Sequence, residues 1–431
     1  MRTRTTPALI RYTALAAALA CSLASHAALV TTGGVGVGPV NQPLGPGNTV
    51  LPSSGVWVGS PGGGSLTLDG GTFLQLARLS FGTGGNPGTG LVTGANTWLD
   101  LVGDGASNSQ VQRLLVGDYG NGQLTVSAGA RITSNGNQGP CLLAFHFCDS
   151  FVGAAAGDTA LLTITGVGTQ VVLGQNLFVA QPGLAIQHLD GHTYGVPGGT
   201  TRGTVNISDG GLLSTARAQI GPNHWSTNAT GGERNLAEVN VSGAGSRWVV
   251  VGGQRVDNSN GNVFEGGASI LTANDRNAWA TINVTNGGVI EVQGVDGVLN
   301  GINATGDRGR TDIRVSGAGS KVAFTGDGAY FNIGRRLGSA AVTVDASASV
   351  TGVWYTAVGR DGSFGDLVID GPGTLYSSTG VASVQAIGSL QNPVFDIGRN
   401  GTGKVRVSNG ARLEIVATEA RINGPQLSIG R

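Results

Sequence analysis

The chain has 431 residues, with 25 basic and 25 acidic side chains and only 12% charged positions, so it offers no basic footprint for nucleic acid. Its 77 glycines exceed ordinary usage more than twofold, which argues against ordinary helical and α/β classes. Disorder is the rival explanation of so much glycine, but 40% of the residues are hydrophobic and they recur in short alternating runs, as core-forming strands do.

In chain order, the first element is an export leader. Arg2, Arg4 and Arg11 provide a positive region, Tyr12 to Ala20 an apolar run, and Ser25-His26-Ala27 a cleavage site, which predicts a signal peptide over residues 1–27 and a mature chain starting at Ala28. A lipoprotein box at Cys21 is disfavoured, because such a box prefers Leu near the position of Ala18. Residues 28–60 form a Gly/Pro-rich N-terminal segment, and residues 61–431 a repeat domain. No mature stretch approaches the length of a membrane-spanning helix. The mature cysteines, Cys141 and Cys148, are expected to form one small disulfide loop in an oxidising compartment.

The repeat unit is an apolar-x-apolar pair, then a small polar residue, then a Gly-rich turn. The pairs include Leu66/Leu68, Leu124/Val126, Leu162/Ile164, Val205/Ile207, Val239/Val241, Ile282/Val284, Ile313/Val315, Val342/Val344, Leu367/Ile369 and Val405/Val407. Spacing of two puts both members on one face of a strand and the middle residue, usually Thr or Asn, on the other. Outward residues such as Asn206, Asn240 and Asn283 could form ladders up a stack. Asn-x-Ser/Thr triplets at these three positions are by-products of that pattern.

Turns after the pairs alternate between two forms. Ser242-Gly243-Ala244-Gly245-Ser246 and Asp370-Gly371-Pro372-Gly373 exemplify the longer, and Thr285-Asn286-Gly287-Gly288 and Ser408-Asn409-Gly410 the shorter. Two rungs therefore make one sequence repeat. A second marker, an apolar residue followed by Gly, recurs at Val116-Gly117, Ile220-Gly221, Ile333-Gly334, Val358-Gly359, Ile397-Gly398 and Ile429-Gly430 and reads as the next strand of the same coil. Separations between pairs are too long for tight hairpins but suit a solenoid coil plus loops. The expectation is an all-β, right-handed parallel β-helix with loop insertions, in preference to an antiparallel sandwich or barrel.

The alternation of Val239 to Trp248 with Ile397 to Gly410 resembles the repeat shared by type V secretion (autotransporter) passengers and PEP-CTERM-associated proteins. The resemblance covers roughly residues 60 to 431 and implies a pertactin-like β-helix, displayed on the envelope or released, of a kind often called an adhesin. The Trp of the Gly-Ala-Gly-Ser turn is clear at Trp248, whereas Trp98 is one residue out of register. No translocator barrel and no PEP-CTERM tail is seen before Arg431. Ile429-Gly430-Arg431 repeats the start of a rung and lacks its partner strand, so a truncated frame with a bare, self-associating last coil is expected.

Chemistry-bearing clusters are few. His188-Leu189-Asp190-Gly191-His192 has the residue types of a metal site, but Pro182, Gly183, Gly195, Pro197 and Gly198 around it read as a solvated loop. Arg360 with Asp361 and Asp366, and Asp307, Arg308, Arg310 and Asp312, read as turn charges. Gly103-Asp104-Gly105 and Gly326-Asp327-Gly328 read as turns, since the full Ca²⁺-binding nonapeptide is missing. His224, Trp225 and Trp279 could contact sugar or protein from loops or staple those loops down. No catalytic, cofactor or metal residue is assigned. The functional expectation is an exported structural or adhesive β-helix that meets a host or neighbouring cell surface, or an extracellular polysaccharide. The alternative is a secreted carbohydrate-active enzyme, a polysaccharide lyase or glycoside hydrolase.

Overall fold

Alternating apolar pairs can be buried only if the next copy of the pattern covers them, and the chain does this by stacking parallel strands into a β-solenoid. The computed structural model describes residues 28–38, 42–43, 55–102, 113–134, 149–155, 157–181, 186–187, 193–194, 200–221, 235–256, 263–274, 277–295, 298–305, 308–380, 382, 392–417 and 424–430. A typical coil has three strands, as in Arg310–Ser316, Lys321–Thr325 and Ala329–Arg335, and these strands build three faces.

Among the described residues, the first face is a sheet of twelve strands. All but the first, Ala28–Gly33, pair in parallel; that strand runs antiparallel to Gly64–Asp69 and closes the N-terminal edge. The apolar-x-apolar pairs lie here in strict register, so Val239, Ile282, Ile313, Val342 and Leu367 form one buried row and Val241, Val284, Val315, Val344 and Ile369 the next. Each such side chain contributes on the order of 1.5–3 kcal/mol on leaving water. The middle residues point outward as expected. Asn240 donates to Asn206 Oδ1 at 2.9 Å and Asn283 to Asn240 Oδ1 at 2.8 Å, forming the anticipated amide ladder.

The second and third faces share one larger sheet, because the long strands Gln170–Val179 and Leu212–Ile220 run through both. The apolar-Gly marker belongs to the third face: Ile333, Val358 and Ile397 stack in register there. It is thus not the strand directly after the pair, since the second-face strand intervenes. That strand carries its own inward row, including Leu213, Trp248, Ile290, Val322, Val350 and Tyr376. Trp248 of the Gly-Ala-Gly-Ser turn is fully inside and donates to Thr215 Oγ1 at 3.1 Å. Trp98 points outward instead and tilts against Phe73, which accounts for its shifted register.

The two turn types interlock. Short turns place two successive residues at positive φ, as at Asn286 (52°) and Gly287 (85°), and close with Gly288 N–H to Thr285 O at 2.9 Å. Long turns have positive φ at Gly317 (96°) and Gly319 (79°). The hydroxyl that ends each long turn is buried and accepts an N–H from the short turn of the preceding coil. Such bonds are Gly71 N to Thr97 at 3.0 Å, Gly129 N to Thr169 at 2.9 Å, Gly210 N to Ser246 at 3.0 Å, Gly287 N to Ser320 at 3.0 Å and Ser347 N to Thr374 at 3.0 Å. On its other side the long turn donates onward, as from Gly317 N to Asp345 O at 3.3 Å. A two-coil sequence period is the direct consequence.

Candidate functional site

Outward-facing residues of the third face differ along the stack. Toward the N-terminus they are buried. Leu115, Phe151, Ala154 and Phe178 make a small core outside the solenoid, with Phe151 and Phe178 stacked at 5.0 Å. Beside it, buried Arg78 donates to Asp118 at 2.7 Å and to Ser80 at 2.9 Å. Burial, then the neighbouring Arg78, lowers the pKa of Arg113 to about 9. Asp158 sits at the adjoining corner, where its carboxylate accepts the backbone N–H groups of Tyr119 and Ala155, both at 3.1 Å. Burial outweighs those bonds and raises its pKa to about 7.

Further along, the same face opens into a cleft of about 510 Å³. Strand register builds it. Tyr330 and Tyr355 are partners on successive coils, Asn303 and Asn332 likewise, and Arg335, Arg360 and Arg399 form a third row just past the Gly corners. Trp354, Asp396, Leu299, Val394 and Gln426 complete the walls. The positive-φ glycines of the corner, such as Gly359 (72°), let the chain turn sharply against the start of the next first-face strand. A Cβ on Gly365 there would lie 2.2 Å from Ile333 O and 2.4 Å from Gly359 N.

Hydrogen bonds tie the walls together. Tyr355 donates to Asp396 Oδ2 at 3.1 Å and accepts from Arg399 Nη1 at 3.0 Å. Asn332 donates to Asn303 Oδ1 at 2.6 Å, and Asn303 to the Tyr330 hydroxyl at 3.1 Å. Asp361 lies 3.8 Å from Arg335 Nε and 3.2 Å from Arg360 Nε. Burial raises the Tyr330 and Tyr355 pKa values, so both phenols stay protonated. Burial, then the Arg336 and Arg360 charges, lowers that of Arg335.

Several buried polar atoms in these walls have no hydrogen-bond partner: Asn332 Oδ1, Arg335 Nε, Trp354 Nε1, Arg360 Nε and Asp396 Oδ1. Asp396 is only 1% exposed. Native structures rarely leave such groups unmet without reason. A surface with aromatic rings, amides, guanidiniums and a carboxylate can stack on a ring and exchange hydrogen bonds with hydroxyls.

Sequence reasoning reached only part of this. Arg360 and Asp361 stand at the cleft, whereas Asp366 lies on the first face. Arg310 and Asp312 pair with each other on the first face at 3.0 Å. Trp279 is 43% exposed there, under the Arg310 guanidinium at 5.7 Å. Gly326-Asp327-Gly328 is a turn whose Asp327 carbonyl accepts from Asn300 at 2.9 Å. Cys141, Cys148, His188, Asp190, His192, His224, Trp225, Asp104, Asp307 and the leader lie outside the described residues. Among the described residues, no group of three His, Cys, Asp or Glu side chains is placed to hold a metal ion, and no helix is long and apolar enough to cross a membrane. Tyr330, Trp354, Tyr355, Asp396 and the two other arginines of the row, Arg335 and Arg399, were missed. The available signal was the Arg after the marker in Ile333-Gly334-Arg335, Val358-Gly359-Arg360 and Ile397-Gly398-Arg399.

No protein-family model matches the chain, and no curated protein matches it. Among solved structures, the crystal structure of a TibC-catalyzed, hyper-glycosylated TibA fragment is similar over 81% of this chain and 94% of that one, at 14% identity and a TM-score of 0.18. At that score the likeness carries no argument.

Proposed function

We propose that this chain is an exported β-solenoid, displayed on the cell surface or secreted, whose stack is a rigid stalk and whose third-face cleft binds a saccharide polymer of a cell surface or matrix. The observation that carries this is the cleft itself, of about 510 Å³, in which Tyr330, Trp354 and Tyr355 stand beside Asn303, Asn332 and the Arg335, Arg360 and Arg399 guanidiniums. Saccharides supply both an apolar ring face and hydroxyls that donate and accept. The test is affinity electrophoresis of the mature chain through gels containing matrix polysaccharides. Retardation that disappears in Trp354→Ala with the melting temperature kept supports the reading, and free migration through every polymer overturns it.

The enzyme reading is favoured by one observation, the buried Asp396 with a free oxygen beside the Tyr355 hydroxyl. A carboxylate and a phenol in contact could move a proton at a glycosidic bond. Loss of polymer length on incubation with the mature chain, absent in Asp396→Asn, would select it over a purely adhesive role.

A further inference from the structure

We infer that the ligand of this cleft is an acidic saccharide chain, one carrying carboxylates on its rings, lying along the solenoid axis with those carboxylates on the Arg335, Arg360 and Arg399 row. This inference rests on the saccharide-binding reading above. Parallel partners on successive coils are spaced by about 4.8 Å, and the three arginines occupy equivalent positions on successive strands. That is close to the length of one sugar ring, so a chain along the axis meets one guanidinium per coil.

The charges in the cleft also fit a weakly anionic polymer. Asp361 is shared between Arg335 and Arg360, and Asp396 lies 3.6 Å from Arg399, so three cations face two carboxylates. The Arg335, Arg360 and Arg399 side chains are 30%, 26% and 40% exposed, and a ligand carboxylate can accept from their guanidiniums with the charge-assisted geometry that guanidinium favours. An added anion would also relieve the mutual repulsion of Arg335, Arg336 and Arg360. The amides of Asn303, Asn332 and Gln426 line the same cleft and suit ring hydroxyls. A densely charged polyanion fits less well, because Asp361 and Asp396 already offset much of the charge of the arginine row.

The experiment titrates the mature chain with oligogalacturonate, with the same oligomer after reduction of its carboxyl groups, and with dextran sulfate, following tryptophan fluorescence. The expected result is about tenfold tighter binding of the acid than of its reduced form. Arg360→Gln should remove that preference and Arg412→Gln, on the second face away from the cleft, should keep it. Equal binding of acid and reduced oligomer overturns the inference and leaves the saccharide reading standing. Binding of neither oligomer overturns the inference, while retardation by another neutral polymer would still support that reading. Equal or tighter binding of dextran sulfate overturns carboxylate recognition in favour of general polyanion binding. The reduced oligomer needs no variant, so the comparison survives if Arg360→Gln fails to fold.

Discussion

The Ser320 hydroxyl joins two coils: it accepts the Gly287 N–H of the preceding coil at 3.0 Å and donates to Ser316 O of its own turn at 2.7 Å. Removing it leaves a partly buried N–H without that partner, which costs about 1 kcal/mol. Ser320→Ala should lower the urea midpoint accordingly. Ser320→Thr should be tolerated, since Thr97, Thr169 and Thr374 fill the same role. Ala318→Ser at the exposed tip of the same turn should change stability by less than about 0.5 kcal/mol.

The two sides of a first-face strand should respond very differently to the same carboxylate. Val315 is fully buried between Val284 and Val344, so Val315→Asp should cost more than about 4 kcal/mol or prevent folding. Asn283→Asp loses one ladder bond to Asn240 but gains the neighbouring outward Arg314, and should cost about 1 kcal/mol or less. Thermal midpoints of both variants check this, and equal losses would mean that the faces are misassigned.

At the corner of the third face, Gly365→Ala should cost more than about 2 kcal/mol, because its Cβ would meet the backbone at Ile333 and Gly359 rather than a movable side chain. Gly424, where an added Cβ meets nothing within 4 Å, should accept Ala with a change below about 0.5 kcal/mol. Urea denaturation of the two variants gives the comparison.

Asp158 predicts a pH dependence with a definite sign. Burial raises its pKa from 3.8 to about 7 in the folded chain, so between those values the folded state holds a proton that the unfolded chain has released. Its contribution to stability is full below about pH 4 and is lost as pH rises toward about 7, by up to a few kcal/mol. Asp158→Asn should flatten that part of the profile. Urea midpoints measured from pH 4 to pH 8 for both proteins test it, and parallel profiles would assign the dependence elsewhere.

Much of this architecture follows from local physics that sequence records directly. Side chains alternate across a strand, so Ile313 and Val315 had to share a face and Arg314 had to oppose them; positive φ favours Gly and Asn, so Gly317, Gly319, Asn286 and Gly287 marked the turns and their two-coil period. The second-face strand was hidden because its inward residues, among them Trp248, Val350 and Tyr376, share no residue type and follow the turns without a glycine signature. The cleft depended on tertiary structure for another reason. Loops of unequal length separate Arg335, Arg360 and Arg399 in the chain, and only strand register brings them to one row beside Tyr355 and Asp396. Which polar atoms go without partners is likewise set by neighbouring coils, because the strands of a solenoid pair between coils rather than within one.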